Sequence, residues 1–121
     1  MNRTVLVVDD SDLVRKVLGF TLKKAGYEVL SAADGQEALK VFDGRDIDLV
    51  VTDLNMPNLN GTGMIQEIRT FAEYRFIPIV LFVSDSTLDV KHFIQTSGAT
   101  IVFDKDSIKE KLVSTVKRMI G

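Results

Sequence analysis

Three acids and a lysine follow apolar runs of the sequence, at the points where those runs end. Asp9 and Asp10 follow the first run, Asp53 ends a run near the middle of the chain, and Lys105 follows the last run. Several carboxylates in one pocket repel one another, and at neutral pH one of them takes up a proton unless a cation lies among them. Mg²⁺ resolves this repulsion, because it is usually bound by one or two carboxylates and keeps positions open for phosphate oxygens.

The same residue types suit the transfer of a phosphoryl group. A carboxylate can act as the nucleophile and form an acyl phosphate, and a lysine can pair with a phosphoryl oxygen as a point charge. Singly, an Asp after a strand is more commonly a helix cap or a turn former, and Lys105 alone is a solvated surface residue. Together, these residues predict Mg²⁺-assisted phosphoryl transfer onto Asp53, with positioning and charge neutralisation supplying most of the catalysis.

Alternating strands and helices must bring these side chains together. Apolar runs without polar alternation predict strands buried on both faces, and the predicted strands are residues 4–8, 27–32, 49–53, 77–83 and 99–103. Helical periodicity, caps and glycine stops predict helices that begin at Ser11 or Asp12, at Asp34, near Thr62, at about Thr87 and at Ser107. The helix that begins at about Thr87 is predicted to end at Ser97.

Two finer predictions concern the first and the last helix. The apolar positions of the first helix are read as fitting the 3.6-residue period of one apolar face, and they are Leu13, Val14, Val17, Leu18, Leu22 and Ala25. Ser107 and Glu110 have the spacing of a capping box, in which the serine side chain binds a backbone amide of the first turn.

Five β-α units of this length predict a parallel sheet with helices on both faces. The expected fold class is α/β, a flavodoxin-like (βα)5 three-layer sandwich with the parallel sheet order 2-1-3-4-5. In that order the first and third strands are neighbours, so Asp9, Asp10 and Asp53 converge at one edge of the sheet. Lys105 approaches the same edge from the end of the fifth strand.

Composition restricts the classes of function. The 121 residues carry a formal net charge of -2 and no block of like charge, which argues against a nucleic-acid face. No apolar run approaches the roughly 18 residues of a membrane span. The absence of cysteine excludes disulfides and thiolate metal sites and suits a reducing cytoplasm. We expect a single cytoplasmic domain spanning residues 1–121 that acts as a monomer.

The chain resembles the receiver domain of two-component response regulators, of the single-domain, CheY-like chemotaxis type. The resemblance covers essentially all 121 residues. The segments that carry it are residues 5–11, residues 51–57 with Gly61, Ile77-Pro78, Gly98-Ala99 and Lys105.

The resemblance implies roles for the site residues and for partners. Asp53 is the expected phosphoacceptor, and Lys105 is expected to contact the phosphoryl group. Asp10, Asp53 and the backbone carbonyl of Asn55 are expected to bind Mg²⁺, with Asp9 acting through water. A sensor histidine kinase is the expected donor, acetyl phosphate a substitute donor, and a downstream target protein or phosphatase the expected recipient of the signal. Such a domain is not an enzyme in the usual sense, because it catalyses only its own phosphorylation and dephosphorylation.

The sequence departs from the family pattern at positions that transmit the signal. Receivers carry a Ser or Thr at the end of the fourth strand, and Val83 occupies that position here. Ser84 is adjacent, but using it requires a bulge or a slip of one residue that reverses the faces of the strand. Val102 stands where a switching aromatic residue is usual. Asp106 replaces a proline that is usually cis, and we expect a trans bond there, since a cis bond before Asp costs several kcal/mol.

Two other classes of function compete with phosphoacceptance. One is a pseudo-receiver, which binds partners constitutively and needs no phosphate, and the other is a hydrolase or a flavodoxin. A phosphate sink, which accepts phosphate without an output of its own, is an alternative role for a phosphoaccepting domain. A hydrolase of the aspartyl-phosphate type or a flavodoxin is disfavoured, because no Gly-rich or Ser/Thr-rich phosphate loop follows the first strand and Asn55 stands where a second catalytic acid is needed. The intact acids and Lys105 favour phosphoacceptance over the pseudo-receiver.

Overall fold

A five-stranded sheet with helices on both faces organises the protein, in a computed structural model that describes residues 2–84, 92 and 96–121. The strands are β1 (Thr4–Val8), β2 (Glu28–Ala32), β3 (Leu49–Asp53), β4 (Ile79–Val83) and β5 (Ile101–Asp104). The helices are α1 (Asp12–Lys24), α2 (Gly35–Leu39), α3 (Gly61–Thr70) and α4 (Ile108–Ile120), with a 3-10 turn at Ala72–Tyr74. Within the described residues, none of the helices has the length and apolar character that a membrane crossing requires.

The strand order confirms the predicted fold class. All neighbouring strands are parallel, and their order is β2-β1-β3-β4-β5, as in flavodoxin-like folds. Val8 of β1 is paired with Thr52 of β3, and Asp53 of β3 is paired with Phe82 of β4. The carboxyl ends of these three strands therefore lie side by side at one edge of the sheet.

Alternate side chains of the central strands enter two apolar layers. Leu6 and Val50 belong to the layer that packs against α2 and α3, whereas Val7 and Phe82 belong to the layer that packs against α1 and α4. Strands β3 and β4 are buried along their whole length, which explains why their sequences lack polar alternation. Burying one Val, Leu or Phe side chain contributes roughly 1.5–3 kcal/mol, so the strands that end at the acids are firmly anchored.

Helix α1 begins directly after the acids. The Ser11 hydroxyl caps it by accepting a hydrogen bond from the amide of Val14 at 3.3 Å. Asp12 in the first turn and Lys23 in the last turn complement the helix dipole. Gly26, with a φ of 102°, allows the left-handed turn that follows the helix.

Two local predictions about helices are wrong. Leu13 is 71% exposed rather than inward; it precedes the buried Leu22 by nine positions, which at about 100° per residue places it on the opposite face of α1. Ser107 makes no side-chain capping bond, because its backbone (φ -89°, ψ -15°) is already helical, whereas a capping residue needs an extended backbone.

Strands β4 and β5 each begin two residues later than predicted. Pro78 precedes β4 and has no backbone N–H to donate, although its carbonyl accepts a bond from the amide of Val50 at 3.0 Å. Before β5, the Thr100 hydroxyl accepts a hydrogen bond from the amide of Ile79 at 2.9 Å. A side chain thus binds the amide at the start of β4, before the backbone pairing of β4 with β5 begins. The helix predicted from about Thr87 to Ser97 lies largely outside the described residues.

Candidate functional site

The three acids lie together at the carboxyl edge of the sheet. Asp9 and Asp10 follow β1, and Asp53 is the last residue of β3. One carboxylate oxygen from each acid lies within 4.8 Å of the others. Asp9 is fully buried, Asp53 is 3% exposed, and Asp10 is exposed to solvent. The parallel topology thus gathers residues that are more than 40 positions apart in the sequence (Asp10 to Asp53).

Lys105 supplies a positive charge to this cluster. Its Nζ lies 3.4 Å from Oδ2 of Asp53 and 4.0 Å from Oδ2 of Asp9. The side chain is 37% exposed and passes over the ring of Phe82, with Nζ 5.9 Å from the ring centroid. The amide of Lys105 donates to the carbonyl of Val83 at 2.7 Å, which fixes the start of the loop after β5. Lys105 can therefore reach an oxygen that is attached to Asp53.

Only one of the two carboxylate oxygens of Asp9 is hydrogen-bonded among the described residues. Its Oδ1 accepts a hydrogen bond from the amide of Ser11 at 2.8 Å, whereas its buried Oδ2 has no hydrogen-bond partner among the described residues. Burial raises the pKa of the Asp9 carboxyl above its usual value; the charges of Asp53 and Asp10 add to this rise, and the Ser11 amide and Lys105 oppose it.

The donor set fits Mg²⁺. All three candidate side-chain ligands are carboxylates, which are the ligands that a hard divalent cation prefers. Within the described part of the chain, Oδ2 of Asp9 is buried without a hydrogen bond, and its charge is costly there unless cations compensate for it. One lysine faces three acids, so the described residues leave the pocket with an excess of negative charge that a divalent ion would neutralise.

Arg15 also reaches the acidic loop, a contact that the sequence analysis did not predict. Its Nη1 donates to the backbone carbonyl of Asp9 at 2.6 Å, and its Nη2 donates to the carboxylate of Asp12. The spacing of Asp12 and Arg15 (i, i+3) is the only sign of it in the sequence, since it predicts an ion pair on the helix surface. The backbone bond to Asp9 is not encoded in any such spacing.

Gly61 allows α3 to approach the end of β3. A Cβ atom at this position would lie 2.5 Å from the carbonyl oxygen of Asp53 and 3.0 Å from the Cα of Leu54. The Gly61 amide donates to the carbonyl of Leu54 at 2.8 Å, and the side chain of Asn60 caps the helix by accepting from the amide of Gly63 at 2.8 Å. The first turn of α3 thus packs directly against the backbone of the candidate phosphoacceptor.

The loop between β3 and α3 is tied to the start of α2. Nδ2 of Asn58 donates to Oδ2 of Asp34 at 2.8 Å, while Oδ1 of Asp34 accepts from the amide of Glu37. The Glu37 amide, followed by Asn58, lowers the pKa of the Asp34 carboxyl. Asn58 adopts a left-handed backbone with φ 68°. Asn55 lies in the same loop and its side chain is exposed; its backbone carbonyl stays the predicted ligand.

The response regulator receiver domain family matches residues 5–117 of the chain. The chain belongs to this family. Receiver domains take up a phosphoryl group in two-component signalling, bind Mg²⁺ in an acidic pocket, and interact with histidine kinases and downstream proteins. Within this family the present receiver domain is CheY-like.

Known structures and sequences support this membership over nearly the whole chain. The chemotaxis response regulator CheY4 of Vibrio cholerae is 34% identical, with a TM-score of 0.90 over 99% of this chain and 100% of the other. The response regulator TrrA of Thermotoga maritima, solved with Mg²⁺ and a beryllium fluoride, is 31% identical with a TM-score of 0.82, over 98% of this chain and 99% of that protein.

The chain spans a third or less of the length of the first curated relatives that it matches. The CAI-1 autoinducer sensor kinase/phosphatase CqsS of Vibrio cholerae is 36% identical over 115 residues, which are 94% of this chain but 17% of that protein. The chemotaxis protein CheY1 of Helicobacter pylori is 37% identical over 83 residues, 67% of each chain. Similar receiver domains therefore occur both within sensor kinases and in smaller chemotaxis proteins.

The structure places Val83 rather than Ser84 at the end of β4. Val83 is the last strand residue and is 3% exposed, whereas Ser84 lies outside the strand and is exposed. β4 pairs continuously with β3 up to Phe82 and with β5 up to Val83, which is paired with Asp104, and neither pairing contains a bulge. Val102 of β5 is 6% exposed and lies in the same apolar layer as Val83. No cis peptide bond occurs in the described part of this receiver domain, and the bond before Asp106 is trans.

Proposed function

We propose that this protein is a phosphoaccepting, CheY-like response regulator in which Asp53 takes the phosphoryl group of a sensor histidine kinase. The observation that carries the proposal is the position of the Asp53 carboxylate, at the end of a central strand, 3.4 Å from the lysine Nζ and within 4.8 Å of two further carboxylates. A nucleophile between a cation and a metal-binding pair is the arrangement that phosphoryl transfer requires.

Each residue of the site has a separate role in this phosphoryl transfer. An oxygen of the Asp53 carboxylate attacks phosphorus, an O–P bond forms, and the P–N bond to the donor histidine breaks as its imidazole leaves. Lys105, now paired with Asp53, is in reach of a phosphoryl oxygen and stabilises its charge. Asp10, Asp53 and the carbonyl of Asn55 would hold Mg²⁺, with Asp9 acting through water; the bound ion supplies charge neutralisation at the phosphoryl oxygens.

Output is proposed to pass through protein contacts. The balanced charge of -2 disfavours nucleic acid or an anionic membrane as a partner. Leu13 and Phe20 of α1 are 71% and 69% exposed, and their spacing of seven residues places them on one face of the helix. Such apolar side chains are available to a kinase, a downstream target or a phosphatase. We propose a monomeric domain of the cytoplasm for this role.

Phosphorylation is proposed to shift the conformation only weakly. Val83 has no hydroxyl with which to bind a phosphoryl oxygen, and Ser84 is outside the strand. A hydrogen bond to a charged group is worth about 1.5–3 kcal/mol, and a ligand biases two states only by the difference in its contacts with them. This feature favours a phosphate sink as the second candidate function, because a sink needs phosphoacceptance without an output.

The mass of the intact protein tests phosphoacceptance. After incubation with Mg²⁺ and acetyl phosphate, we expect the gain of one phosphoryl group in the unmodified protein and no gain in Asp53→Asn. Asp46→Asn, which changes an exposed acid before β3, is the matched control and should be labelled like the unmodified protein. No gain in the unmodified protein would support the pseudo-receiver instead, and full labelling of Asp53→Asn would refute the assignment of Asp53.

A further inference from the structure

We propose that Arg15 is a positioning residue of the metal site: its forked guanidinium holds the Asp9 carbonyl and thereby fixes the position of Asp10. The inference rests on the proposed function, because it concerns Mg²⁺ bound beside Asp53. Arg15 is not expected to touch the phosphoryl group or the metal.

The guanidinium of Arg15 contacts the acidic loop at two points. Nη1 donates to the carbonyl oxygen of Asp9 at 2.6 Å, and Nη2 binds the carboxylate of Asp12. The Arg15 side chain is only 18% exposed, so this bond to the backbone is largely shielded from water. The amide of Arg15 donates to the carbonyl of Ser11 at 3.0 Å, so the backbone from which this side chain extends is fixed in the first turn of α1.

Planarity of the peptide group carries this restraint to Asp10. The Asp9 carbonyl oxygen lies in the same plane as the amide nitrogen and the Cα of Asp10. Holding that oxygen therefore limits the rotation that would swing Asp10 away. Asp10 is exposed, so packing does not hold its carboxylate, and the position of that carboxylate depends on its backbone. Asp9 is fixed separately, through the amide of Ser11.

Charge and position predict opposite effects of removing Arg15. A guanidinium near the acids repels a cation, so its removal should tighten Mg²⁺ binding if charge alone matters. If Arg15 positions Asp10, its removal should weaken Mg²⁺ binding, as the loss of groups that orient metal ligands typically does by 10- to 100-fold. The sign of the change therefore distinguishes the two roles.

The test is a titration with Mg²⁺, followed by backbone amide shifts, of the unmodified protein, Arg15→Met and Lys16→Met. We expect the dissociation constant of Arg15→Met to rise about tenfold or more. Among the described residues, Lys16 is exposed and forms no ion pair with the acids of the site. Lys16→Met therefore removes the same charge from the same turn and should stay within about twofold of the unmodified protein.

Phosphorylation by acetyl phosphate gives a second readout. In Arg15→Met, the Mg²⁺ concentration for the half-maximal rate should rise about tenfold, whereas the rate at saturating Mg²⁺ should fall by no more than about threefold, because Asp53 and Lys105 are unchanged. If Arg15 only stabilises the fold, Arg15→Met should lower the melting temperature and leave the Mg²⁺ concentration for the half-maximal rate unaltered.

Mg²⁺ binding in Arg15→Met that equals or exceeds that of the unmodified protein would overturn the inference. If Arg15→Met does not fold, Arg15→Lys tests the inference instead. Its ammonium keeps the positive charge but lacks the forked guanidinium that contacts two groups at once. Its affinity for Mg²⁺ should fall by about threefold or more, and an unchanged affinity would overturn the role of the fork. An unmodified protein that does not bind Mg²⁺ would contradict the proposed function as well.

Discussion

At the scale of single residues, the acids of the pocket differ in how they are held. Asp9 is buried and bonded to the Ser11 amide, and Asp53 is part of the sheet, whereas Asp10 is exposed. Asp10 therefore contributes little packing that folding depends on, and its loss should affect the metal rather than the fold.

Asp10→Ala should weaken Mg²⁺ binding by more than about tenfold, or about 1.4 kcal/mol, because it removes one of the two proposed direct carboxylate ligands. Without metal, the melting temperature should stay the same or rise, since one repelling charge is gone. In the unmodified protein, Mg²⁺ at ten times its dissociation constant should stabilise the fold by about 1.4 kcal/mol. Calorimetric titration and thermal melts measure both effects.

Asp46→Ala is the control for this prediction, because it removes an exposed acid that precedes β3, at the opposite edge of the sheet. Its Mg²⁺ affinity should equal that of the unmodified protein. Equal loss in Asp46→Ala and Asp10→Ala would mean that overall charge, rather than a local site, attracts the ion.

At the scale of elements, the junction of β3 and α3 is a close backbone contact behind the site. The backbone of α3 approaches the Asp53 carbonyl so closely that only glycine fits at position 61. The opposite holds for Gly19 within α1, where an added Cβ would meet Cγ1 of Val29 at 3.6 Å, an ordinary contact distance. The two glycines form a natural pair for comparison.

Gly61→Ala should lower the free energy of unfolding by about 1–3 kcal/mol, because the new methyl group collides with backbone rather than with a flexible side chain. Gly19→Ala should raise it by up to about 1 kcal/mol, since alanine favours a helix interior over glycine. Urea unfolding measures both changes. A stable Gly61→Ala protein with unaltered labelling of Asp53 would show that the approach of α3 is not needed.

The switch positions give a prediction for β4 and β5. With beryllofluoride as a phosphoryl mimic, we expect small chemical-shift changes in β4, β5 and α4 of the unmodified protein. Larger changes are expected in the double variant Val83→Thr, Val102→Tyr, because a hydroxyl bond of about 1.5–3 kcal/mol changes the population ratio roughly 10- to 150-fold. Val102→Tyr alone is the control. Large changes in the unmodified protein would indicate another route of coupling, such as Ser84.

At the scale of the whole molecule, the features that depend on periodicity and topology could be predicted from the sequence. Strands without polar alternation indicated the sheet, and its parallel order brought Asp9, Asp10 and Asp53 to one edge. Contacts that depend on side-chain direction were not predictable. The bond from Arg15 to the Asp9 carbonyl and the link from Asn58 to Asp34, 24 positions away, leave no periodic pattern.

Acid unfolding of the whole domain should depend on carboxylates outside the site. Hydrogen bonds from Arg45 lower the pKa of Asp43 from 3.8 to about 2. Because the folded pKa is the lower one, this contribution to stability is present above pH 3.8 and is lost as the pH falls through about 2. Asp43→Asn should therefore lower the melting temperature slightly at pH 5 and reduce its fall between pH 4 and 2. Asp46→Asn, another exposed acid, is the control, and an identical pH profile for Asp43→Asn would contradict the assignment.

If Asp53 is phosphorylated as proposed, we expect the valine at the end of β4 to affect the energy of the acyl phosphate. Coupling between two events is reciprocal, so a phosphoryl group that hardly changes the conformation is hardly stabilised by that conformation. Its transfer potential then stays close to that of a simple acyl phosphate, and binding of a partner at a distant surface changes its lifetime little. We expect such a group to return readily to a histidine donor. Val83 would thereby let the phosphoryl group pass both to Asp53 and back to a histidine, as a phosphate reservoir shared among several histidine donors requires.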